Sequence, residues 1–284
     1  MSAIYDLHAH TLRSDGSLSP TELVARASTN GVTTLAVTDH DVTDGLAEAA
    51  TAGQHLGVEV WPGVEISVSW ERGTLHVVGL GIDAACAPLQ AGLARLREFR
   101  DWRAHEIDRR LQKKNITGAY ESARRLARGA ILSRTHFAQA LVEQGYVLDA
   151  GQAFKQFLGD GRVAAVPGKW AALDEAIGWI RAAGGVAVLA HPARYKISAT
   201  KWRRLIDEFK AAGGLAIEVV SGSHNAAENA HYAQVARANG LFGSVGSDYH
   251  GPEKPWVDLG RLAPLPPDVM PVWDAISNKE AAHA

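Results

Sequence analysis

Six histidines and three acidic residues stand at the ends of six short apolar runs. His8 and His10, with Asp15 close behind, follow the first run, and His40 follows the second within Asp39-His40-Asp41. Glu65 lies on the third, His76 on the fourth, His191 after the fifth, and Asp248 and His250 after the last. In extended chain, residues two apart project to one side, so His8 and His10 can face a common point, as can Asp248 and His250. A lone histidine near a strand end is ordinarily a hydrogen-bonded surface or core residue. Nine such groups converging is another matter, because a buried cluster without cations would carry repulsion and desolvation that a fold does not tolerate. Imidazole and carboxylate donors without thiolate suit Mn²⁺, Zn²⁺ or Fe²⁺, and the set is too large for one ion of ordinary coordination number. Two or three divalent ions are therefore expected, Mn²⁺ being the leading choice. Neighbouring ions ~3.5 to 4 Å apart share a bridging carboxylate, for which Glu65 is the candidate, hold a hydroxide nucleophile and clamp phosphoryl oxygens. The chemistry this implies is metal-assisted hydrolysis of a phosphate ester.

Positioning these groups requires strands that deliver them to one end of a sheet. Runs rich in Val, Ile and Leu recur at Ala3 to Leu7, Thr33 to Thr38, Val58 to Ser67, Leu75 to Ile82, Val186 to Ala190, Leu215 to Val220 and Leu241 to Val245, as buried strands would. Between most of them lie helical patterns, Pro20 to Asn30, Asp44 to Leu56, Leu173 to Ala183, Thr200 to Ala212 and Ala226 to Asn239, each stopped by a glycine. Repeated strand, helix, glycine, strand units favour a parallel sheet, and about seven strands favour an α/β barrel over an open doubly wound sheet. The rhythm breaks from 89 to 168, where arginine-rich patterns such as LARLREFRDWRAHEIDRRLQKK predict a helical insert over one end of the barrel, able to act as a lid. The expected division is a barrel formed by 1–88 and 169–284 and an insert formed by 89–168. The proline-rich stretch from Leu262 to Ala284 is expected to wrap the surface and fray.

With 284 residues, 46% hydrophobic and a formal charge of -2, the chain can bury a large core and lacks a generally basic, nucleic-acid-coating surface. Its substrate is expected in a cleft. The single cysteine, Cys86, excludes an intrachain disulfide and any multi-cysteine metal site. MSAIYDLHAH lacks a basic region followed by a long apolar run, and no apolar stretch is long enough to span a membrane, so a cytoplasmic protein is expected.

At these residues the sequence resembles the PHP family, named for polymerase and histidinol phosphatase, within the amidohydrolase-like barrels. The carrying motifs are DLHAHTLRSDGSLSP, TDHD, PGVEIS, LHVVGLG, AHP and GSDYH, which span nearly all of the chain outside the insert. The resemblance implies a distorted (β/α)7 barrel with up to three metals. One would lie on His8, His10, Glu65 and Asp248, a second on Glu65, His76 and His191, and a third on Asp15, His40 and His250. LSRTHFAQALVEQGYV, the later VPGKW and the insert resemble the small stand-alone members acting on nucleotides, the 3',5'-nucleoside bisphosphate phosphatases and a related 5'-to-3' exoribonuclease. That implies removal of the 3'-phosphate of adenosine 3',5'-bisphosphate to leave AMP. Hydroxide held by the metals would attack phosphorus, with Glu65, Asp248 and His191 as the catalytic set and acid help from His191 or water.

The second phosphate of such a nucleotide calls for arginine forks or lysine charges. Ser133, Arg134 and His136 are one candidate group, although Ser133 also reads as a helix N-cap and Arg134 as a solvated first-turn residue. Lys169 in PGKW and Arg194 after AHP are further candidates that also read as surface charges, and Arg103 is a weaker one. Arg100 reads as part of a solvated helix face partnered by Glu98 or Glu106. Trp102 and Trp170 could stack on a base, with core packing the better default. His224 and Asn225 either touch substrate or form a turn, and His55, His105, His231 and His283 are read as structural. Two alternatives stay open: a 5'-to-3' exonuclease on RNA or short oligonucleotides, which needs an open basic groove, and a metal-binding regulatory protein without turnover. The expected partner is a small nucleotide, with nucleic acid only under the exonuclease reading and no membrane.

Overall fold

The structure, a computed structural model, describes residues 3–71, 73–128, 131–253 and 255–283, with 278–283 described by backbone alone, so the side chain of His283 lies outside it. Seven strands form one sheet in chain order: β1 Tyr5–Ala9, β2 Thr34–Val37, β3 Glu59–Trp70, β4 Gly73–Leu80, β5 Val186–Leu189, β6 Ala216–Ser221 and β7 Phe242–Gly246. The sheet nearly closes into a barrel where the chain past β7 meets β1. There Ala9 bridges Tyr249, His10 N donates to Tyr249 O at 2.9 Å and Asp248 N donates to His8 O at 2.8 Å. The helices are α1 Pro20–Thr29, α2 Leu46–Leu56, α3 Ala87–Gln112, α4 Ala119–Leu126, α5 Arg134–Glu143, α6 Ala150–Ala153, α7 Leu173–Ala182, α8 Ala199–Ala211, α9 Ala226–Asn239 and α10 Val272–His283. A π-helical turn at Phe154–Leu158 follows α6.

The expected all-parallel order fails at one strand. Only Glu71 and Arg72 separate β3 from β4, too few for a crossover, so β4 folds back as a hairpin antiparallel to both β3 and β5. His76 therefore lies near the start of β4, level with the end of β3 and facing Ser67 across the hairpin. It reaches the rim by running the other way.

This reversal leaves the chain at the opposite end of the barrel after Leu80. Helix α3, 26 residues and about 39 Å long, carries it back along the outside. Its first half packs on the barrel through Leu89, Leu93 and Leu96, and its second half joins a separate core in the insert through Ala104, Ile107 and Leu111. Close approach to α7 depends on Gly92, where a Cβ would lie 2.4 Å from the Trp179 ring. One continuous helix thus belongs to both cores and ties the insert to the barrel.

The C-terminal stretch also differs from expectation. Val272, Ala275 and Ile276 of α10 join the barrel's inner cluster of Leu7, Ala36, Val78, Leu80, Val186 and Val188, closing the end remote from the histidines. Among the described residues, no helix is long and apolar enough to cross a membrane.

Candidate metal centre

Three residues at the rim hold left-handed backbone conformations that their side chains disfavour: Asp41 (φ 52°), His191 (φ 28°) and Asp248 (φ 53°). Each is pinned by its own N–H, Asp41 to Glu65 O at 3.0 Å, Asp248 to His8 O at 2.8 Å and His191 to Glu218 Oε2 at 2.6 Å. These kinks turn strand ends inward. Gly246 makes room, since a Cβ there would lie 2.3 Å from that of His8.

The nine side chains singled out in the sequence meet around Glu65, which is fully buried. Its Oε1 lies 2.8 Å from His76 Nδ1 and 2.9 Å from His191 Nε2, and its Oε2 lies 2.8 Å from His40 Nδ1 and 3.4 Å from both His8 Nε2 and His10 Nε2. Asp248 Oδ1 is 3.1 Å from His10 Nε2 and 3.5 Å from His8 Nε2. Asp15 Oδ1 is 3.3 Å from His250 Nε2 and 3.7 Å from His40 Nε2. Three sets have donor atoms mutually within 4.8 Å: His8, His10, Glu65 and Asp248; His10, Asp15, His40 and His250; and His40, Glu65 and His76. His40 thus joins Glu65 and His76 where the second expected set had His191, whose Nε2 is 3.3 Å from His76 Nδ1.

These residues fit divalent cations on several independent observations. Among the described residues, Asp15 Oδ1, His40 Nδ1 and Glu65 Oε2 are buried and find no hydrogen-bond partner. His40 Nδ1 and Glu65 Oε2 stand 2.8 Å apart, close enough to share one cation. The Nε2 atoms of His8 and His10 face each other at 3.1 Å. Burial and neighbouring imidazoles push His10 down to about 3 and His76 to about 4, the neutral ligating form. Burial acts to raise Glu65 and Asp248 but is outweighed. His76, His40 and His8 hold Glu65 well below the usual carboxylate range, and Arg194, His250 and His8 do the same for Asp248. Burial would lower His40, but Glu65 and Asp15 lift it to about 9.

Facing this cluster across a cavity of 380 Å³ is a cationic wall, with Arg100, Arg103, Ser133, Arg134 and Trp170 lining one side and Arg194 at the mouth. Arg100 corrects the expectation of a solvated residue. It is buried, its Nε donating to Asp41 Oδ2 at 2.7 Å and its Nη2 to Ser67 Oγ at 2.8 Å. Glu106 instead pairs with Arg109 and Arg110. Arg103 is also buried, donates to Val166 O rather than to a carboxylate, and is lowered to about 9 by burial and by Arg134 and Arg100. The guanidinium groups of Arg100 and Arg103 lie 5.0 and 5.2 Å from the Trp170 ring. Ser133 combines both of its readings, capping α5 and lining the cavity, and Arg134 pairs loosely with Asp160 at 3.4 Å. Arg194 bonds Asp248 Oδ2.

Two candidates are not brought to the cavity. Lys169 is exposed and does not line it, while its neighbour Trp170 does. His136 is buried behind Ser133, its Nδ1 accepting from Ser133 N at 3.2 Å. Trp102 is 53% exposed, Asn225 caps α9, and His224 stacks on Tyr232.

The structure adds two carboxylates with positioning roles and a third that is new to the site. Asp39 accepts from Thr11 N and Ser14 Oγ, shaping the loop before Asp15, and Asp41 anchors Arg100. Glu218 contacts His8 and His191. Its signal was a lone carboxylate in the apolar run LAIEVV, where an ionisable group needs a buried partner.

A barrel whose rim gathers imidazoles and carboxylates for divalent cations, opposite an arginine wall, is the architecture of a metal-dependent phosphoesterase. A PHP domain profile matches residues 6–219, and the chain belongs to the PHP domain family. It is 46% identical to a 3',5'-nucleoside bisphosphate phosphatase from Chromobacterium violaceum over 94% of each chain. It is 43% identical to a 5'-3' exoribonuclease from Haemophilus influenzae over 96% of this chain and 99% of that one. Among solved structures it resembles an amidohydrolase from Chromobacterium violaceum with bound sulfate and no metal, with a TM-score of 0.93 and 45% identity over 98% of this chain and 97% of that one.

Proposed function

We propose that the protein is a phosphatase that removes the 3'-phosphate of nucleoside 3',5'-bisphosphates, such as adenosine 3',5'-bisphosphate, using two or three divalent ions, Mn²⁺ foremost. The observation that carries this reading is the two-sided cavity, metal-capable donors on one side and Arg103 and Arg134 on the other. A substrate matching both sides carries a phosphate to be cleaved and a second anion to be held.

In this reading His8, His10, Glu65 and Asp248 would hold one ion, Glu65, His76 and His191 a second, and Asp15, His40 and His250 a third, with Glu65 serving the first two. The bound ions would supply an activated water and draw charge from the phosphoryl oxygens. Arg134 and Arg103 fix the second phosphate, and Arg103, buried and bonded to the Val166 carbonyl, gains most from an incoming anion. Trp170, buried in the lining of the cavity, holds both arginines in place through cation–π contact. The free, half-buried thiol of Cys86 suits the cytoplasm we propose as its location.

One feature favours a second reading, the 5'-to-3' exoribonuclease. A groove of 750 Å³ shares Thr74, Arg103 and Arg134 with the cavity and continues past Arg110 and Arg162. A bisphosphate does not need that length, whereas an oligonucleotide does. Phosphate and nucleotide release by the Mn²⁺-loaded protein from adenosine 3',5'-bisphosphate, AMP, histidinol phosphate and a short 5'-phosphorylated RNA separates the readings. The expected result is rapid phosphate release from the bisphosphate with AMP left intact. Nucleotides freed from RNA with the bisphosphate untouched would replace the phosphatase reading with the nuclease one.

A further inference from the structure

Glu218 sits at the centre of β6, 1% exposed, with one oxygen committed to each of two site residues. Its Oε1 lies 2.5 Å from His8 Nδ1, and its Oε2 accepts from the backbone N–H of His191 at 2.6 Å. The two contacts serve different purposes. A carboxylate on Nδ1 fixes the proton there, leaving Nε2 of His8 as a bare lone pair directed at Glu65 and Asp248. The bond to His191 restrains a backbone at φ 28°, from which the ring reaches Glu65 and His76.

We infer that Glu218 is a positioning residue that couples two cation positions through one side chain, setting the tautomer of His8 for one and the strained backbone of His191 for the other. This rests on the metal-dependent reading proposed above. Glutamine, the same size and shape, cannot replace it. With its oxygen on the His191 N–H, its amide nitrogen faces His8 Nδ1, which must then accept, sending the ring proton to Nε2 and blocking that ligand. Turned over, it sets two N–H donors against each other at His191. Either way one arm fails.

The test is Mn²⁺ titration of the metal-free full-length protein by calorimetry, comparing wild type with Glu218→Gln, alongside thermal melting of both metal-free forms. The expected result is a loss of affinity of about 10–100-fold in the variant with melting of the metal-free forms little changed. Equal affinity in the variant overturns the coupling role, whereas a wild type that binds no Mn²⁺ overturns the metal reading beneath it. A second measurement needs no variant: ¹⁵N–¹H correlation of the His8 ring in the Zn²⁺-loaded wild type. A proton on Nδ1 is expected, and a proton on Nε2 overturns the inference even if Glu218→Gln does not fold.

Discussion

On the barrel side of the cavity, donors such as His8 and Glu65 are fully buried and hang from strands or from kinks pinned by backbone hydrogen bonds. On the insert side, Arg134 rides on a ten-residue helix, its side chain is 33% exposed, and its carboxylate partner Asp160 stands wholly in solvent. The first side is fixed by the sheet, which holds its donors in place. The second combines Arg103, buried and held by Val166 O and Trp170, with Arg134, whose partly exposed side chain can adapt to an anion. Rigid placement suits the reacting centre, and adaptable charge suits recognition. Arg100 belongs to neither scheme, because it lies on the insert helix yet is locked to the barrel through Asp41.

Substitutions that sharpen this contrast differ in size and in kind. Asp248→Ala, on the rigid side, is expected to lower kcat/KM by about a thousandfold or more and to remove bound metal with it, measured by steady-state turnover and elemental analysis. Full activity with one equivalent less metal would break the comparison. Arg100→Ala leaves Asp41 buried without its cation and is expected to cost about 3–5 kcal/mol in denaturant unfolding, a stability effect exceeding its effect on catalysis. Arg134→Ala, on the adaptable side, is expected to raise KM for a nucleoside bisphosphate about 10–100-fold while leaving an aryl phosphate nearly unaffected, because only the former carries a second anion. Equal effects on both substrates would remove Arg134 from recognition. Smallest of all, Lys169→Ala should leave kcat/KM within about twofold for both substrates, since the side chain is exposed and away from the cavity.

The rigid side was also the legible one. Apolar runs ending in histidine or aspartate announce buried strands and a convergent rim, and the seven observed strands overlap the seven runs, with ends shifted by a few residues. The insert was legible only as a break in that rhythm. Arg100 and Arg103 sit in a helix with charges on every turn, and which of these face inward depends on the partners that α3 meets, Asp41 and Trp170, both remote in sequence. Lys169 and Trp170 illustrate the same gap at a single step, since adjacency in the chain does not tell which of two neighbours turns into the cavity. The direction of β4 was within reach, because the seven residues between the third and fourth runs are too few for a crossover, and α10 as a stopper depends on a barrel end that exists only after folding.

The reversed strand has a consequence for anyone who would transplant the insert. Its entry, after Leu80, and its exit, where Ala171 bridges Val68 beside the rim, lie at opposite poles of the barrel. Inserted domains that come and go as cassettes usually have neighbouring termini that a short linker can join. Here the first half of α3 runs along the barrel wall before the second enters the insert, so a graft from another protein must match its turn count as well as its sequence.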